Sequence, residues 1–201
     1  MYDGLSSITS VWSVFLVWSE ETVNSSMHMQ MLNKNTNDIF LYSYSIMDIK
    51  VHIEIPLNSN VKYEFEDNQL NVDRVLVTAM HYPGNYGYIP NTLADDKDPL
   101  DIMVISEFAC YPNIIMKCRI IGVLITEDEK GFDEKILAVP DISVDPSHTN
   151  IINYTDLDKH IIDKIEYFFT HYKSNEPNKW IKIHSFENAE KATEIYNKSL
   201  L

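Results

Sequence analysis

The sequence predicts a mainly β protein with added α structure, an antiparallel barrel or sheet flanked by two helices. Three observations carry that prediction. Apolar and polar residues alternate with period two over Ile49–Ile55 and again over Val61–Phe65, the pattern of half-buried strands. Further strand-like runs fall at Val72–Val77, Ile102–Ser106, Lys117–Ile125 and Lys135–Val139, with no segment of helical length between them. Parallel neighbours need a crossover of a dozen or more residues, usually a helix, so antiparallel pairing follows. Helical spacing is confined to the end of the chain.

Taken in order, the elements begin after residue 46. Residues 1–46 hold one basic residue, Lys34, against Asp3, Glu20, Glu21 and Asp38, and Ser, Asn, Thr and Met dominate them. The start, Met1-Tyr2-Asp3-Gly4, lacks the basic opening of a signal peptide and the arginines of a transit peptide. This segment reads as a poorly ordered extension or a mis-assigned start, with Met27, Met29, Met31 and Met47 as alternative first residues. Residues 47–201 form the folded domain. If Ile49–Ile55 pairs with Val61–Phe65 across the Asn58-Ser59-Asn60 turn, His52 and Glu54 share a face with Lys62 and Glu64. Leu157, Ile161, Ile165, Phe168, Phe169 and Tyr172 then recur at helical spacing, with Thr155 as N-cap. Ala189, Ala192, Ile195 and Tyr196 mark a shorter second helix.

Composition excludes several classes. The chain has 201 residues, 45% apolar and 23% charged, which is ordinary for one globular domain with an appendage. Two cysteines, Cys110 and Cys118, are too few for a disulfide scaffold and fit a reducing, cytoplasmic setting. A net charge of -14 repels a phosphate backbone, so no nucleic-acid partner is expected. No run reaches the ~18 apolar residues of a spanning helix, so no membrane partner is expected either.

Chemistry concentrates in Asp95-Asp96-Lys97-Asp98-Pro99-Leu100-Asp101-Ile102. Carboxylates crowded around a proline repel one another, and divalent cations relieve that cost. Taken alone, the segment also reads as a solvated acidic loop. A calcium loop of the EF-hand type does not fit: Glu107 occupies its Glu position, but Asp101 stands where it needs Gly, and a strand follows in place of a helix. Asp128-Glu129-Lys130-Gly131-Phe132-Asp133-Glu134-Lys135 supplies further carboxylates from a neighbouring strand end, or simply a charged hairpin turn. Lys62, Arg74, Lys135 and Lys173 lie beside tyrosines or acids in sequence, and such cations suit phosphate. Tyr82 and Tyr86 read as core aromatics, and Tyr86, between Asn85 and Gly87, equally as a loop residue presenting its hydroxyl.

Together these stretches resemble a family. Asp96-Lys97-Asp98-Pro99-Leu100-Asp101-Ile102 is similar to the signature of soluble inorganic pyrophosphatases of family I, bacterial type. Ile53-Glu54-Ile55-Pro56, Val61-Lys62-Tyr63-Glu64, Val72-Asp73-Arg74, Tyr82–Tyr88, Asp128–Lys135, Phe168–Lys173 and Lys179-Trp180 support it in the expected order. The resemblance runs from about Val51 to about Ala192.

It implies a five-stranded barrel of the oligonucleotide-binding type, with helices beside it. It implies Mg2+, several ions per site, with Mn2+ or Zn2+ as substitutes. Asp96, Asp101, Asp128 and Asp133 match metal ligands, and Glu54 an outer-shell position. Asp98 matches the acceptor of the attacking water's proton. Lys62, Arg74, Lys135, Tyr172 and Lys173 match phosphate-binding groups, Tyr86 a central tyrosine and Glu64 a supporting acid. The implied partners are inorganic pyrophosphate and, as a homohexamer, further copies of the chain. Pyrophosphate is strongly anionic, so a carboxylate pocket takes it only with divalent countercharge, which also lowers the pKa of the attacking water. Two departures stand out: Lys97 sits where relatives usually carry Gly, Ser, Asp or Asn, and Tyr167 sits on the helix that the resemblance implies as the subunit interface, where bacterial relatives often carry His, although His171 is kept.

The reading is therefore a Mg-dependent hydrolase yielding two orthophosphates. The alternative is a catalytically impaired metal- or phosphate-binding relative, supported by Lys97 and the unusual N-terminal segment. A barrel binding single-stranded nucleic acid suits the fold and fails on charge.

Overall fold

The computed structural model describes residues 12–18, 27–33, 38–44 and 48–201. The chain divides into two compact units, Met1–Met47 and Asp48–Leu201. In the first, β1 (Trp12–Trp18), β2 (Met27–Asn33) and β3 (Asp38–Tyr44) pair antiparallel in sequence order. Three strands thus stand within the segment that the sequence reads as a poorly ordered extension. Its other residues lie outside the described ones.

The second unit contains β4 (Asp48–Ile55), β5 (Val61–Glu66), β6 (Gln69–Val75), β7 (Asn85–Tyr88), β8 (Asp101–Val104) and β9 (Ile114–Asp128). It continues with β10 (Gly131–Phe132), β11 (Lys135–Pro140), α1 (Lys159–His171), β12 (Ile181–Asn188) and α2 (Ala189–Ser199). Five strands close a ring in the order β4, β7, β8, β11, β9 and back to β4. Four of its pairings are antiparallel, as expected, and β8 pairs β11 in parallel. A ring with an odd number of strands cannot alternate direction at each neighbour, so an entirely antiparallel five-stranded barrel is impossible. The crossover needs no helix here, because the 15-residue β9 makes it.

Other local expectations shift. β5 pairs with β6, not β4, through Asp67 and Asn68, both at positive φ (51° and 60°) as a two-residue primed turn requires. The expected face shared by His52, Glu54, Lys62 and Glu64 is therefore not formed by strand pairing; Glu54 meets β5 through the Phe65 amide, which donates to its Oε1 at 2.7 Å, and the His52 ring packs on Phe65. Thr155 does not cap the helix. It lies in a separate 3-10 turn, Leu157 is extended with ψ 148°, and α1 starts after Asp158.

The core lies between the barrel and α1, whose Ile165, Phe168 and Phe169 are buried against Tyr82, Tyr86 and Tyr172. Burying each such side chain contributes roughly 1.5–3 kcal/mol. β7 approaches β4 closely at Gly87, where a Cβ would overlap the His52 carbonyl oxygen. That contact fixes Tyr86 and Tyr88 on either side of it.

Candidate active site

The parallel seam sets the centre of the site. Asp101 and Lys135 open β8 and β11 and stand opposite each other in register. The Lys135 ammonium, almost fully buried, bonds both Asp101 and Asp133. Burial works against its charge, but Asp101 and Asp133 outweigh that and raise its pKa. Tyr86, on β7, donates its hydroxyl to Asp101 Oδ2 at 2.6 Å. It is both a core aromatic and a presented hydroxyl.

Around this centre lies an open cavity of about 560 Å³. Its wall includes all thirteen residues picked out from the sequence: Glu54, Lys62, Glu64, Arg74, Tyr86, Asp96, Asp98, Asp101, Asp128, Asp133, Lys135, Tyr172 and Lys173. Asp96 and Asp98 come from the turn before β8, where the Asp98 amide donates to Asp96 Oδ1 at 3.0 Å. Lys97 holds φ 73° in that turn, its side chain is exposed, and it is not part of the wall. The basis for an impaired relative therefore weakens.

The β9–β10 turn supplies Asp128, whose Oδ1 accepts from the Lys130 amide at 2.8 Å. Its Oδ2 accepts from Lys173, just past the end of α1, at 2.7 Å. Partial burial opposes that carboxylate's charge, yet the Lys173 hydrogen bond holds its pKa below the ordinary range. The β5–β6 hairpin supplies Lys62, paired with Glu64, and Arg74. Arg74 is clamped by Asp73 at 2.5 Å and Glu176 at 3.0 Å. Tyr172, the C-cap of α1, is buried, and desolvation pushes its phenol well up.

Sequence reasoning left out Tyr82, Tyr88, Glu129, Lys130 and Lys179 from the wall. Each stands inside a stretch it had quoted, so proximity in the chain was the available signal. Lys179 pairs with Glu129 at 2.8 Å; despite partial burial, the lysines beside Glu129 and the Trp180 amide hold its pKa at about 2.

Nine acidic and six basic side chains line the cavity, so its formal charge is negative. Desolvation, with Asp101 adding to it, raises the Glu54 pKa to about 7. Asp133 is raised for the same two reasons, with Lys135 opposing. The donor set is oxygen-only and suits a hard divalent cation. Among the described residues, no three acidic, His or Cys side chains converge as a ready metal cage. Ammonium groups stand between the carboxylates instead.

A sequence model described as inorganic pyrophosphatase matches residues 51–201. The inorganic pyrophosphatase of Campylobacter jejuni is 49% identical over 154 residues, covering 76% of this chain and 90% of that protein. The one from Helicobacter pylori is 47% identical over 160 residues, 79% of this chain and 92% of its own length. A solved Helicobacter pylori inorganic pyrophosphatase structure superposes with a TM-score of 0.75 at 44% identity, covering 78% of this chain and 96% of that one. The agreement spans the ring of strands, the seam and the carboxylate-lined cavity, and the chain belongs to the inorganic pyrophosphatase family.

Proposed function

We propose that this chain hydrolyses inorganic pyrophosphate to two orthophosphates and needs divalent metal ions to do so. The observation that carries this is a single cavity that combines excess carboxylate with phosphate-type donors. Magnesium is the ion proposed, with Mn2+ or Zn2+ as substitutes, held by Asp96, Asp101, Asp128 and Asp133 with Glu54 behind them. When bound, such ions offset the negative wall and lower the pKa of the attacking water.

The chain's own groups do the rest. Asp98, 64% exposed, accepts the proton at a carboxylate oxygen. Lys62, Arg74, Lys135, Tyr172 and Lys173 bind the phosphoryl oxygens, and Glu64 steadies Lys62. Asp73 and Glu176 already fix the guanidinium plane of Arg74, so little ordering is left for substrate binding.

The catalytic domain is residues 47–201, and 1–46 is an extension to it. No described helix is long and apolar enough to cross a membrane, and two free, buried cysteines support a cytoplasmic setting. The proposed assembly is a homohexamer. Tyr167 is 61% exposed and stacks on His171 at 4.2 Å between ring centroids, at positions where the resemblance puts a subunit contact. Light scattering measures the assembly. Phosphate release from pyrophosphate with Mg2+, and its loss in a chelator, tests the function. Release that is absent in both conditions would exclude it.

A further inference from the structure

Six cations line the cavity, and they are not equivalent. Lys135 and Lys173 are buried, with side chains 3% and 8% exposed, and are anchored in β11 and at the end of α1. Lys62 and Arg74 are held on the hairpin among acids, and Lys179, 41% exposed, is paired with Glu129 at 2.8 Å. Lys130 differs. Its side chain is 61% exposed, and its Nζ lies 3.5 Å from Asp98 Oδ2. Asp96 and Asp128 add to the field around it. It stands at the tip of the β9–β10 turn, next to Gly131 at φ 125°, where an added Cβ would meet nothing within 4 Å. A four-carbon stem on an open turn makes a movable point charge.

We propose that Lys130 is a tethered competitor for divalent ions, its ammonium partly neutralising the Asp96–Asp98–Asp128 wall and having to swing away when metal loads. This rests on the metal-dependent reading above. The physical basis is like-charge repulsion between an ammonium and a dication drawn to the same carboxylates. Being exposed, the ammonium is screened by salt, so the effect is modest and falls with ionic strength. Lys97, between Asp96 and Asp98 in the chain, is exposed and not part of the wall.

The test is calorimetric titration of Mn2+ into the full chain without pyrophosphate, for the wild type, Lys130→Ala and Lys130→Gln. Lys159→Ala serves as a control, since Lys159 is 85% exposed and pairs with Asp163 on α1. Both Lys130 variants are expected to bind the first Mn2+ about 2–5-fold more tightly at low salt, with the gap closing near ~0.3 M salt. The control is expected to match the wild type. Equal or weaker Mn2+ affinity in the Lys130 variants overturns the competitor role alone. Unchanged Mn2+ affinity with a raised KM for pyrophosphate makes Lys130 a phosphate ligand and also overturns it. No Mn2+ bound by any of the proteins removes the metal-dependent reading itself, and the competitor role with it.

Discussion

The Tyr86 hydroxyl donates a 2.6 Å hydrogen bond to Asp101 Oδ2, the carboxylate that also receives the Lys135 ammonium. Tyr86→Phe keeps the ring packed against Tyr82 and Phe169 and removes only that donor. A hydrogen bond to a charged group is worth about 1.5–3 kcal/mol, so kcat/KM is expected to fall roughly 10–100-fold. Steady-state kinetics beside a melting curve checks this. A loss seen only as lower thermal stability would contradict it.

Asp98→Asn keeps the shape of the turn and removes the proton acceptor. Its amide bond to Asp96 comes from the backbone and survives the change. The expected fall in kcat is roughly 10²–10⁴, with Mn2+ affinity only modestly weakened. Calorimetry showing that the first ion no longer binds would instead make Asp98 mainly a metal ligand.

Lys97→Gly is expected to leave the Mg2+ dependence of activity unchanged, because the Lys97 side chain is exposed and outside the wall. Lys97→Val is expected to destabilise the fold by about 1–2 kcal/mol, since a β-branched residue resists φ 73°. Mg2+ titrations and denaturant melts measure the two effects separately. A Lys97→Gly protein that saturates at lower Mg2+ would instead make Lys97 a cation that repels the metal.

Glu54 links stability to pH. Burial raises its folded pKa from 4.5 to about 7. The folded state therefore holds the proton more tightly than the unfolded one, and this contribution to stability is complete below about 4.5. It is lost as pH rises through about 7. Glu54→Gln, whose side-chain oxygen still accepts from the Phe65 amide, is expected to melt above the wild type at pH above 7 in chelator. Near pH 4.5 the two are expected to melt alike. Melting curves at both pH values decide it, and a gap that is larger on the acid side would refute the assignment.

A chain beginning at Met47 is expected to fold and turn over pyrophosphate. All thirteen site residues and the core around α1 lie in the second unit, Asp48–Leu201. Thermal unfolding and phosphate release are the readouts, and loss of either would make residues 1–46 part of the working enzyme.

Local pattern was enough for some of this. Alternation from Ile49 to Ile55 marks β4 because one face of that strand is buried, and the spacing of Ile165, Phe168 and Phe169 marks the buried side of α1 for the same reason. The acids of the Asp96–Asp101 stretch were legible because crowded like charges are costly without a purpose. β12 escaped notice because its alternation slips at a bulge between Ile183 and Ser185, where it pairs with β9. β7 is four residues long and carries a glycine, so its pattern is too brief to read as a strand. The partner of β5 was open in the sequence because turn-forming residues flank it on both sides; the two-residue Asp67-Asn68 turn joins it to β6.

By itself, then, the sequence pointed to the residues that line the cavity, because crowded carboxylates and cations are costly without a purpose. Only the tertiary structure decided how they meet. The parallel β8–β11 seam follows from closing five strands into a ring, and it sets Asp101 opposite Lys135 although they are far apart in the chain. The side a flexible cation faces is likewise a matter of the turn that holds it. Lys97, at φ 73° in its turn, is exposed and outside the wall, while Lys130, on an open turn, reaches Asp98.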